Sequence, residues 1–221
     1  MGIRPGALTG GPTLMTLMIE RDPAGPNRRR LPIQIANEAR MIRATIELLG
    51  DHEVVEITSR MIAERSGTAT NYISRYFGGR DALLSATAKE LGWRIAEEMD
   101  GYGERPELQE ALPFLEAVVA MPEVALWFKL FRYLSARNLT TAHVSGSRSP
   151  VAVACDDAVA RIFRIEGEDV QFWSNVFLTY MLGGLSFNAL LGTDDEEGGK
   201  VLARLGRIVE VLRDEQISIN A

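Results

Sequence analysis

Thr58-Ser59-Arg60-Met61-Ile62-Ala63-Glu64-Arg65-Ser66-Gly67-Thr68-Ala69-Thr70-Asn71-Tyr72-Ile73-Ser74-Arg75-Tyr76-Phe77 is the stretch whose reading decides the fold. Two short helices that cross closely need a small residue at the crossing, a turn residue tolerant of positive φ, and an apolar anchor in the second helix. Ala63, then Gly67 four positions on, then Ile73 six further meet those needs, and Ile62 adds a core position. Spacing by four places Ala69, Ile73 and Phe77 on one face of the second helix and leaves Thr68, Asn71, Tyr72, Arg75 and Tyr76 opposite. The pattern predicts a helix-turn-helix, one helix starting after Thr58 and running to about Ser66 and the next covering Ala69 to Phe77. Its outer face carries hydroxyl, amide and guanidinium groups, the types that hydrogen-bond bases and phosphates.

Working outward, Asn37 is a candidate N-cap for a helix before the motif, with Ala39, Ile42, Ile46 and Leu49 on one face. A further helix is expected from Asp81 to about Met99, closed by Gly101 and Gly103. Beyond it Pro106, Pro122 and Pro150 stand where helices begin, since proline costs nothing in a first turn. Helices follow near Glu107 to Met121, Glu123 to Asn138 and Val151 to Ile165, with a loop at Thr140 to Ser149. An uncharged segment from Asp169 to Leu191 comes next. Thr193 and Glu196 have capping-box spacing for a last helix lined by Val201, Leu205, Ile208 and Leu212. No β-alternating run of useful length occurs, so the fold class is all-α. An N-terminal three-helix unit (37–84) follows a Gly, Pro and Arg-rich arm (1–36) and precedes a helical domain (85–221).

Net charge is −6 over 221 residues, which looks wrong for a nucleic-acid binder until it is divided. Arg28 to Arg80 carries nine arginines against six acidic residues, whereas Asp81 to Ala221 carries 13 basic against 22 acidic. The basic excess lies in one segment, as expected when one region meets phosphates and the rest does something else. Arg28, Arg29 and Arg30 close the arm and either reach DNA backbone or minor groove, or form a solvated tail. A single cysteine, Cys155, rules out an intramolecular disulfide and suits a reducing cytoplasm. Val170 to Thr193 lacks charge, but Gln171, Ser174, Asn175, Thr179, Ser186 and Asn188 interrupt it and both flanks are acidic. It therefore reads as a buried helix and not as a membrane span.

The run from Thr58 to Gly67, followed by Tyr72-Ile73-Ser74-Arg75-Tyr76-Phe77-Gly78-Gly79-Arg80-Asp81-Ala82-Leu83-Leu84, resembles the DNA-binding signature of the tetracycline-repressor (TetR) family. The likeness covers about Asn37 to Leu84. It implies a dimeric, ligand-responsive regulator reading a pseudo-palindromic DNA operator, with an effector-binding and dimerising domain in the remainder. By that resemblance Thr58 caps the second helix near a phosphate, Asn71 and Tyr72 fall at base-contacting positions, and Arg75 and Tyr76 meet bases or backbone; Thr68 and Thr70 are further DNA-binding candidates. Arg80 replaces the family's usual lysine near a phosphate. Ser74, Tyr76 and Glu53 also depart from the usual tyrosine, histidine and glycine. The resemblance further implies a homodimer through the two C-terminal helices, where Gly183 and Gly184 would allow close approach.

Aromatic and sulfur side chains crowd two segments of the helical domain. Trp127, Phe131, Tyr133, Trp173, Phe177, Tyr180 and Met181 are the candidate effector pocket, with Tyr133, Asn175, Thr179 and Tyr180 able to orient a polar group. The effector expected is a small, largely apolar molecule; no cofactor or metal is expected. An enzyme has little to stand on, because His52 and His143 are the only histidines and no HExxH, GxSxG, P-loop or paired CxxC spacing occurs. Cys155 beside Ala154 and Val159 reads as a buried small hydrophobe. A helical adaptor that binds only proteins is the other competing class.

Overall fold

The computed structural model describes residues 32–105, 111–139 and 149–191, by backbone alone at 111–112, 180–182 and 184–191. Arg28, Arg29, Arg30, the segment 140–148 and the helix expected from Thr193 lie outside the described residues. The helices are α1 (Pro32–Asp51), α2 (Ser59–Ser66), α3 (Asn71–Phe77), α4 (Arg80–Gly101), α5 (Ala111–Val119), α6 (Pro122–Ala136), α7 (Pro150–Phe163) and α8 (Glu168–Leu191). A 3₁₀ turn at Tyr102–Glu104 follows α4. Among the described residues no strand occurs, and no helix is long and apolar enough to cross a membrane.

Helix starts follow the punctuation in the sequence. Pro122 and Pro150 occupy the first turn of α6 and α7, and the Ser149 hydroxyl accepts from the Ala152 N–H at 3.2 Å. The start of α1 differs from expectation. It begins at Pro32, so Asn37 is not a cap but a buried residue one turn inside, its carboxamide oxygen accepting from Arg40. Proline at 32 is a better first residue than at any later position, and it recruits part of the expected arm into the helix. The buried stripe of α1 runs through Met41, Ile42, Thr45, Leu48 and Leu49, with Ala39 and Ile46 along its half-buried edge.

Two apolar cores form. One gathers Met41, Leu49, Ile57, Ile62, Ile73, Leu83, Leu84 and Leu91 with Leu130 and Leu134 of α6. The other gathers Ile95, Met99, Phe114, Val118, Val124, Val151, Val159 and Phe177. Helix α4 threads both: at ~1.5 Å per residue its 22 residues span about 33 Å. The core that holds the helix-turn-helix therefore continues past Leu84 into α4 and α6. Trp127 packs against both cores, close enough to α4 that a Cβ on Gly92 would sit 3.5 Å from its Nε1.

Candidate nucleic-acid interface

Helix α2 starts where its cap dictates. The Thr58 hydroxyl accepts from the Met61 N–H at 3.2 Å, and the Thr58 carbonyl accepts from Ile62 at 3.1 Å. The Thr58 hydroxyl is exposed and still has a proton to donate. The helix ends at Gly67, whose φ of 62° is left-handed; the Gly67 N–H reaches Glu64 O at 3.3 Å and the Thr68 N–H reaches Ala63 O at 3.0 Å. Ser66 and Thr68 hydroxyls meet at 2.8 Å across the turn. Ile62, Ala63 and Ile73 are buried, so the small residue, the turn glycine and the anchor take the places their spacing predicts.

Helix α3 is seven residues long and presents Asn71, Ser74 and Arg75 outward, with Ala69 and Thr70 exposed just before it. Tyr72 and Tyr76 lie differently. Their rings stack at 5.1 Å between centroids and pack against the core of the unit, half-buried, with the Arg75 guanidinium 5.9 Å from the Tyr76 centroid. Ser74, which the helical spacing did not place on the outer face but which stands where the family usually has tyrosine, belongs to the outward stripe, one turn after Thr70. Flanking charges are mostly paired within the unit: Arg60 with Glu64 at 2.8 Å and Arg65 with Glu47 at 3.4 Å. The hydrogen bond from Arg60 to the Glu64 carboxylate, with its charge, holds that guanidinium above its ordinary value.

Arg80 does not point where the resemblance implies. Its Nε and Nη2 donate to the carbonyls of Ile57 and Val54, and its Nη1 donates to Asp81 Oδ1 at 3.0 Å and Tyr133 Oη at 2.8 Å. A lysine has one terminal nitrogen and reaches outward; the guanidinium fork instead satisfies several inward acceptors at once. Tyr133, expected in a ligand pocket, instead packs against the core that holds the helix-turn-helix, where α6 meets Arg80.

The apolar cavity lies elsewhere in the helical domain. Its volume is about 30 Å³, its walls are apolar throughout, and Met99, Phe114, Val118, Cys155, Phe163 and Phe177 are among its lining. Of the expected pocket residues it includes Phe177, stacked on Phe163 at 5.2 Å. Trp127 and Phe131 stack on each other at 5.3 Å and Trp173 is half-buried, but none of these three lines the cavity. Asn175 and Thr179 are exposed on the outer face of α8. The side chains of Tyr180 and Met181 lie outside the description. Cys155 is buried, its Sγ 3.9 Å from the Ser174 carbonyl. Among the described residues no group of three metal-ligating side chains occurs.

Residues 41–87 match the family described as bacterial regulatory proteins, tetR family. The matched stretch runs from α1 through the helix-turn-helix into α4, so it is this part of the chain that is similar to the family. Two relatives from Chromohalobacter salexigens are similar over part of the chain: HTH-type transcriptional regulator BetI 1 is 32% identical over 68 residues, and BetI 2 is 37% identical over 51. Those matches span 31% and 23% of this chain, and only 34% and 25% of the relatives' own length. Solved structures extend the likeness in fold to the helical domain. A TetR transcriptional regulator from Rhodococcus sp. RHA1 superposes with a TM-score of 0.55 at 19% identity, covering 80% of this chain and 96% of that one. The multidrug binding protein EbrR gives 0.54 at 19%, over 82% and 96%, and the TetR family repressor AlkX from Dietzia gives 0.51 at 16%, over 80% and 97%. The chain thus joins a segment similar to the tetR family's N-terminal domain to further helices whose fold is similar to that of these structures.

Proposed function

We propose that this protein is a cytoplasmic transcriptional regulator of the tetR family that binds a pseudo-palindromic operator as a homodimer and whose DNA affinity answers to a small apolar effector. The observation that carries the reading is the outward stripe Thr70, Asn71, Ser74 and Arg75 on a short helix held by Ile62, Ala63, Gly67 and Ile73. A helix so mounted presents amide, hydroxyl and guanidinium groups at a spacing that fits a major groove. Thr58 at the start of α2 supplies a phosphate contact, and Thr68, Tyr72 and Tyr76 supply flanking contacts from the edge of the same face. In a dimer the two recognition helices read half-sites about 34 Å apart, or a small multiple of that.

The effector reading rests on the apolar cavity between α4, α5, α7 and α8. At about 30 Å³ it has to widen to admit a ligand, and a wall without polar groups selects a neutral, apolar one. One protein of similar fold, the repressor AlkX, is implicated in biodegradation of n-alkanes, which agrees with an apolar effector here. Selection of random duplex DNA on the purified protein tests the reading. Enrichment of a palindrome is the expected result, and recovery of unenriched sequence excludes it in favour of a protein-binding helical adaptor.

A further inference from the structure

Helix α6 sets Lys129 and Tyr133 four residues apart, and Arg137 just past its end, along the side that meets the helix-turn-helix. Lys129 Nζ donates to the carbonyls of Leu49 at 3.2 Å and His52 at 2.8 Å, and pairs with Glu53 at 3.1 Å, closing the C-terminal end of α1. One turn on, Tyr133 Oη accepts from Arg80 at 2.8 Å and from Arg137 at 3.0 Å. Asp81 completes a ring, its two oxygens 3.0 Å from Arg80 and 3.7 Å from Arg137. Both guanidinium carbons lie over the Tyr133 ring, 5.4 and 5.3 Å from its centroid.

Through Arg80 this ring reaches the loop before α2, because the carbonyls of Val54 and Ile57 take their hydrogen bonds from that guanidinium. Apolar packing of Leu130 and Leu134 at the same junction is non-directional and tolerates sliding. Charge-assisted hydrogen bonds have preferred angles and do not. We propose that Lys129, Tyr133 and Arg137, centred on Arg80, form a polar clasp that fixes the angle of the helix-turn-helix against the helical domain. They are positioning residues. Their effect on DNA rests on the regulator reading above, but the clasp itself does not. In a dimer that angle sets the separation of the two recognition helices, so loosening it penalises binding to two half-sites together and spares binding to one.

Two conservative variants of the full chain test this. Tyr133→Phe keeps the ring beneath both guanidiniums and removes the shared acceptor; Arg80→Lys keeps the charge and removes the fork. Amide hydrogen exchange at residues 52–58 is expected to quicken by about tenfold in either, the scale of one lost hydrogen bond to a charged group. Affinity for the selected palindrome falls by a similar factor while affinity for a single half-site holds, and the double variant is no worse than the weaker single. Unchanged exchange overturns the clasp. So does a parallel loss on palindrome and half-site, which is what simple destabilisation of the unit produces. Where Arg80→Lys fails to fold, Tyr133→Phe, the loss of one oxygen from a half-buried side chain, decides alone. If the wild type selects no palindrome the regulator reading falls, and the exchange result then decides the clasp.

Discussion

Gly67 shows how a single residue can be judged by its backbone alone. No atom lies within 4 Å of where its Cβ would stand, yet its φ is 62°, so Gly67→Ala meets no steric neighbour and pays only the left-handed conformation. Urea unfolding should show a loss of about 1–2 kcal/mol. Asn71 and Arg75 are exposed and carry no core contact, so Asn71→Ala is expected to leave the melting temperature unchanged. On DNA it should cost about 1–3 kcal/mol and relax one base pair. Arg75→Ala should flatten the salt dependence of binding by roughly one phosphate contact, whereas Arg80→Ala should leave that slope alone and lower stability instead. Gel shifts across salt concentrations, beside thermal melts, separate the two arginines. Sequence could not, because both are arginines on the basic segment, and only the hydrogen bonds to Val54, Ile57 and Tyr133 tell which one faces inward.

The helices differ in how far their own sequence holds them. At seven residues α3 is too short to persist alone and depends on Ile73, almost fully buried against α1 and α4. Ile73→Ala should therefore cost about 2–5 kcal/mol and abolish DNA binding together with the fold of the unit, seen as a coincident loss in circular dichroism and gel shift. Helix α8 shows the opposite balance. It runs unbroken through Gly183, where a Cβ would meet nothing among the described residues, and exposes Phe172 at 60% near its start. Elements of this kind were legible from punctuation and period, with α6 and α7 beginning at the prolines expected. Faces were less so. Asn175 and Thr179 share a helix with buried Phe177, but a 24-residue helix of mostly uncharged residues has no polar side from which the sequence could tell inward from outward.

Over the whole molecule, one rigid helix links two cores, Arg80 at one end engaging the junction and Met99 at the other lining the cavity. A ligand that prefers a wider cavity must displace that wall, and by reciprocity DNA must weaken or strengthen its binding by the same factor. Phe177→Ala, which opens the cavity by removing a stacked ring, should cost about 3–5 kcal/mol in denaturant and increase uptake of an apolar dye, while Trp127→Phe should leave dye uptake unchanged. The sequence by itself determined most of the described helices, though not where α1 and α3 begin, together with the turn at Gly67 and the division of charge, because each rests on local spacing and on residues that cap or break. Tertiary structure alone decided which aromatic residues line a cavity and which residues join the domains. Tyr133 left the expected pocket for Arg80, and Arg80 left the expected phosphate for Tyr133, since a contact between positions 53 residues apart depends on how the helices cross, which no local pattern encodes.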